Sequence, residues 1–168
     1  MNKLLIKNVR PFIDGRIENL SSILIENGEI TAILNAGESV ENTEIFDGKG
    51  NVAASGYIDI HGGYGHDVME ATEEALYSIS RFHLDNGVTT YVPTTLTASI
   101  PDTRKTLDFL LHYNDPNVAR RYGSHLEGPY LSPKAAGAHP SHLLLDPDEN
   151  NSSFIWDYNC VVSRITVA

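Results

Sequence analysis

Two stretches of this 168-residue chain carry side chains whose types and spacing suit chemistry. The denser one is His125-Leu126-Glu127-Gly128-Pro129-Tyr130, followed closely by Gly137-Ala138-His139-Pro140. A carboxylate at the end of an apolar strand is costly to bury unless it is paired or bound to a cation. Strand alternation would place His125 and Glu127 on one face. Carboxylate oxygen and imidazole nitrogen are both ligands for zinc and similar divalent ions. A His125–Glu127 ion pair is the competing reading, and the residues alone leave both open.

The second stretch is Asp59-Ile60-His61-Gly62-Gly63-Tyr64-Gly65-His66-Asp67. A histidine at the C-terminal end of a barrel strand points into the mouth where such folds place their active sites. The plainer reading is a histidine that only hydrogen-bonds the next loop. Its glycines are no dinucleotide fingerprint, because the G-x-G-x-x-G spacing is absent. A further segment, Gly87 to Thr95, reads as a buried β-branched strand closed by Pro93, with the Thr94 and Thr95 hydroxyls either lining a pocket or, the plainer reading, satisfying a turn.

The elements that must position these residues fall into two styles. Up to about Ala53 the chain reads as short strands and tight turns, with Asn27-Gly28 as a hairpin turn between Ser22–Ile25 and Ile30–Leu34. From residue 54 the order becomes strand, loop, helix, repeated. A strand at Tyr57–His61 precedes a helix from about Glu73 to Asn86, with Thr72 as its N-cap and Gly87 ending it. A second helix starts at Ser99 with Pro101 and Asp102 in its first turn, and a weaker third spans about Asp148 to Tyr158. Such alternation implies parallel βαβ units, either an open doubly wound sheet or half of a (β/α)8 barrel.

Composition bounds the partners. A formal charge of −10 argues against nucleic acid, whose phosphates select basic surfaces. No stretch approaches the ~18 apolar residues of a membrane span. The single cysteine, Cys160, excludes an intrachain disulfide and any multi-cysteine zinc site. The expectation is a cytoplasmic protein.

Three segments together resemble the N-acetylglucosamine-6-phosphate deacetylases of the amidohydrolase superfamily: SGYIDIHGGYGHDVMEAT, GVTTYVPTT and GSHLEGPYLSPKAAGAHPS, in that order. HLEGP followed by GAHP is the specific part; the first segment alone indicates only the superfamily. The resemblance implies an α/β fold: the first half of a (β/α)8 metal-dependent hydrolase barrel (residues 54–168), preceded by the N-terminal strands of a small β-sandwich (residues 1–53). It implies Glu127 as a metal ligand and Ala138 and His139 as contacts to an amino-sugar phosphate. The superfamily's His-x-His is shortened here to His61-Gly62-Gly63, which points away from a two-metal site and leaves His61 as a second candidate ligand. The implied cofactor is a divalent metal, zinc.

The implied reaction is deacetylation of N-acetylglucosamine 6-phosphate to glucosamine 6-phosphate and acetate. The family's catalytic aspartate, two later metal-ligand histidines and phosphate-binding arginine are expected beyond residue 168, so the chain by itself is expected to be inactive. A half barrel's unpaired edges would need cover, so a homo-oligomer is expected. Two other readings stay open: a non-catalytic fragment that binds a sugar phosphate or pairs with another chain, and another amidohydrolase acting on an amide or cyclic amide.

Overall fold

The computed structural model describes residues 3–168 and forms two compact units, one ending at Ser55 and the other beginning at Gly56. The first unit is a sheet in the order β2 (Arg16–Ile17), β1 (Lys3–Ile13), β3 (Ser21–Glu26), β4 (Glu29–Asn35). Two short strands, β5 (Glu44–Asp47) and β6 (Val52–Ala53), pair with β1 in parallel. Asn27 and Gly28 both take positive φ, 54° and 88°, and close the antiparallel β3–β4 hairpin. Strand β1 is far longer than its Leu4-Leu5-Ile6 run suggests. A register shift between Ile6 and Val9, with Asn8 at φ 53°, bends it and carries pairing onward. Leu5 and Val9 are its buried anchors.

The second unit is built on a parallel sheet in the order β11 (Val162–Thr166), β10 (Ser124–Glu127), β8 (Val88–Thr95), β7 (Tyr57–Gly62). A two-residue strand, β9 (Arg120–Arg121), pairs with β8 at Thr90 and Tyr91, ahead of the stretch that β10 takes up. Helix α1 (Glu73–Asp85) is capped by the Thr72 hydroxyl, which accepts from Ala75 N–H. Helix α2 (Ile100–His112) is capped by Ser99, which accepts from Asp102 N–H. Leu76 and Ile79 of α1, Leu107 and Leu110 of α2, and Tyr91 and Leu126 from the sheet bury completely in one core. Each such side chain contributes about 1.5–3 kcal/mol by leaving water.

Two local departures from the sequence pattern have physical causes. Pro93 does not close its strand: β8 continues to Thr95. Pairing with β7 ends at Gly62–Pro93 and pairing with β10 begins at Thr94, so the missing N–H falls where β8 changes partners. The third helix is only one α-turn, α3 (Glu149–Ser152), followed by a 3-10 segment, Ser153–Tyr158. There the Ser152 hydroxyl donates back to Asp148 O and Asn151 donates to Asp146 O, local bonds that compete with helix continuation. Among the described residues, no helix is long and apolar enough to cross a membrane.

Candidate functional site

The second unit brings the His61, His125 and His139 rings and the Glu127 carboxylate together near the C-terminal ends of its parallel strands. On β10, Leu126 points into the helix-packed core, so His125 and Glu127 point to the other face. His61 reaches that face by an irregularity. Asp59 pairs with Tyr91, and Gly62 pairs with Pro93, so three residues of β7 step against two of β8. The extra residue keeps Gly62 against Tyr91 and His83 while turning His61 toward His125 and Glu127. Gly62 is required: a Cβ there would lie 2.9 Å from the Tyr91 ring and 3.1 Å from His83 Nε2.

The imidazoles are graded in burial, with side-chain exposure of 56% for His61 and 11% for His139. His125 is fully enclosed, and its Nε2 sits 2.7 Å from the Thr166 hydroxyl while its Nδ1 lies 3.2 Å from His61 Nδ1. Burial pushes the His125 pKa down, and Arg164 and His61 push the same way against the opposing charge of Glu127. A neutral His125 suits this crowding.

The Glu127 carboxylate is not paired with His125. Its Oε2 faces His139 Nε2 at 3.6 Å and His61 Nε2 at 3.8 Å. Both separations exceed a hydrogen bond. The carboxylate thus keeps free lone pairs while about a quarter of the side chain is exposed.

His139 arrives from the loop after β10. Its Nδ1 lies 2.8 Å from Thr97 Oγ1 and accepts the Thr97 backbone N–H at 3.3 Å. Ala138 beside it is exposed and lines a cavity with Leu96, Lys105 and His139. A neighbouring cavity is bounded by His61, Gly63, His66, Thr94 and Glu127. Asp67 and Leu96 border both cavities. His66 pairs with Glu70 at 3.2 Å and so belongs to the rim.

Glu127, His61, Ala138 and His139 therefore sit around one continuous region. His125 and Thr97 join them. The alternation of β10 already places His125 on the face of Glu127, but no local pattern marks Thr97, whose partner lies 42 residues away.

The donor chemistry suits a hard or borderline divalent cation in part. Two bonds of about 2.0–2.2 Å to a carboxylate and an imidazole can span the 3.8 Å between Glu127 and His61. Among the described residues, however, no three His, Cys, Asp or Glu side chains converge to hold a metal ion. The fit is that of one carboxylate ligand with an imidazole close by.

No family model matches the chain. It is 36% identical over 129 residues to the N-acetylglucosamine-6-phosphate deacetylase of Vibrio furnissii, an alignment covering 69% of this chain and 30% of that one. The chain is related to the N-acetylglucosamine-6-phosphate deacetylases. The mouse (Mus musculus) enzyme of that name is 36% identical over 107 residues, covering 60% of this chain and 26% of the relative. The crystal structure of the Pasteurella multocida deacetylase superposes with a TM-score of 0.80 over 98% of this chain and 44% of that one, at 23% identity. The fold is thus shared with these deacetylases. The chain spans about a third of the length of the curated relatives it matches.

Proposed function

We propose that this chain forms part of the metal and substrate site of an N-acetylglucosamine-6-phosphate deacetylase, which hydrolyses the substrate's acetamide to an amine and acetate. The observation that carries this reading is the meeting of Glu127, from HLEGP at the end of β10, with His139, from GAHP in the loop that follows, at 3.6 Å. A divalent cation, zinc in this reading, when held at Glu127 with His61 alongside, would polarise an acyl oxygen and acidify a bound water. The chain's own residues do the rest of what is proposed: Glu127 supplies a free carboxylate, Ala138 shapes the wall beside the sugar, and His139 offers a polar contact to it.

The same reading makes the parallel sheet part of a (β/α)8 barrel. Parallel sheets are normally covered on both faces. Here Ile58, Ile60 and Tyr122, around the cavity on the face away from the helices, are each more than half exposed, as barrel-interior residues would be without the remaining strands. In this reading the first unit is the N-terminal share of a β-sandwich and the protein works in the cytoplasm.

A second reading is a chain that binds the amino-sugar phosphate without turning it over; the incomplete metal triad favours it. Two measurements on the purified protein with added zinc test the site that both readings share. Calorimetry should detect N-acetylglucosamine 6-phosphate in preference to glucose 6-phosphate. We expect binding without acetate release, since none of these residues is placed as a general base. Acetate release would overturn the expectation of inactivity, and equal or absent binding of both sugars would overturn the site.

A further inference from the structure

We infer that Thr97 is a positioning residue that fixes His139 as its Nε2–H tautomer, so that the ring presents a hydrogen-bond donor, and no metal-ligating lone pair, to the space beside Glu127. The inference rests on the proposed reading only in naming the acceptor, an oxygen of the amino-sugar phosphate.

The argument starts from a group that cannot change roles. Thr97 is 6% exposed, and its backbone N–H donates to His139 Nδ1 at 3.3 Å. A backbone N–H can only donate, and a buried one left without a partner is costly. Nδ1 must therefore keep its lone pair, and the proton of the neutral ring resides on Nε2. The Thr97 hydroxyl, at 2.8 Å from the same nitrogen, then acts as a second donor. Were Nδ1 protonated, the hydroxyl could accept, but the backbone N–H would face another N–H.

This arrangement is the reverse of a metal-bound histidine. Such a ring almost always donates its distal N–H to a carboxylate, carbonyl or water. Here the distal nitrogen meets two donors, and Nε2, the atom turned toward Glu127 Oε2, carries the proton. His139 is thereby separated in role from His61.

Gly128 ties this device to the metal-facing strand. It follows Glu127 directly, has φ of 84°, and a Cβ on it would collide with Thr97 Oγ1. Only glycine leaves Thr97 its place over His139. The end of β10 thus sets both the carboxylate and, through Thr97, the orientation of the donor opposite it.

Imidazole 15N NMR on the 168-residue protein near pH 8 tests this, with His139→Ala assigning the signals. The expected result is an unprotonated Nδ1 and a protonated Nε2 on His139, retained in Thr97→Ser. Thr97→Val keeps the side-chain shape but loses the hydroxyl, and should lower the tautomer ratio roughly fivefold, the worth of one ordinary hydrogen bond. On zinc titration the Nε2–H signal of His139 should persist. A wild-type Nδ1–H tautomer, a Thr97→Val spectrum identical to wild type, or loss of the Nε2–H signal at zinc saturation would each overturn the inference. Absence of sugar-phosphate binding would count against the proposed function alone, since the tautomer is read without ligand.

Discussion

The Glu127 carboxylate faces His139 at 3.6 Å rather than His125, which lies two residues back on the same strand. The two β10 side chains share a face, yet His125 spends its nitrogens on Thr166 and His61. Glu127 is left with no side-chain hydrogen bond among the described residues, an arrangement suited to receiving a cation. Glu127→Gln keeps the shape and removes the charge. We expect zinc affinity to fall by at least about 10-fold, since even losing an outer partner of a ligand costs that much. Equilibrium dialysis against zinc checks this, and an unchanged affinity would place the metal elsewhere.

Much of this arrangement is legible in the sequence wherever the signal is local. Asn27-Gly28, Thr72 and Ser99 act through neighbours within three residues, so their turn and caps appear where residue type places them. The placement of His61 depends instead on an extra residue in β7 relative to β8, which alternation cannot foresee. Strict alternation would have kept His61 on the face of Asp59, toward α1. The competing His125–Glu127 ion pair fails for a similar reason: its alternatives come from Thr166 and His139, far along the chain. Local chemistry names the ligand types, and long-range packing decides which of them meet.

His83 gives a pH dependence with a definite sign. It is 4% exposed, and its Nε2 has no hydrogen-bond partner among the described residues. Burial pushes its pKa below the ordinary imidazole value, with Asp59 opposing more weakly. The unfolded chain therefore binds more protons than the folded one as pH falls below about 6.5. Stability is fully present above that value and declines as the medium becomes more acid. The slope per such histidine is at most about 1.4 kcal/mol per pH unit, and His125, also shifted down, adds in the same direction. Urea unfolding near pH 7.5 and near pH 5.5 should give a lower midpoint in acid, and His83→Gln should shrink that difference. If the variant shows the wild-type difference, His83 does not titrate with unfolding.

Gly62 and Gly63 form a matched pair for testing the β7 irregularity. A Cβ on Gly62 would press on the Tyr91 ring, on His83 Nε2 and, at 3.2 Å, on Val92 O, whereas one on Gly63 would meet nothing within 4 Å. Overpacking of this kind costs about 1–3 kcal/mol. Gly62→Ala should therefore lower the unfolding free energy by that amount and shift the His61 and His125 ring signals. Gly63→Ala should stay within about 0.5 kcal/mol of wild type. Equal effects from the two would mean that the close approach of β7 to Tyr91 and His83 is not what requires glycine.

The buried Ser80–Tyr91 bond has a readable direction. Ser80 has one hydroxyl proton, and it is donated to Leu76 O at 2.6 Å. The 2.6 Å bond between Ser80 Oγ and the Tyr91 oxygen must then be donated by Tyr91. Burial pushes the Tyr91 pKa up to about 12, so the phenol stays protonated well above its usual range. Its folded-state value is the higher one, so this contribution is complete below about pH 10 and is lost as pH rises toward 12. Ser80→Ala leaves a buried donor unmet and should cost about 1–3 kcal/mol, less a few tenths returned by alanine's helix preference. Tyr91→Phe removes the donor and should cost about 1 kcal/mol. Because the two groups are partners, the double variant should cost less than the sum by at least about 0.5 kcal/mol. Denaturation of the three variants measures the coupling directly, and strict additivity would show that the bond contributes nothing.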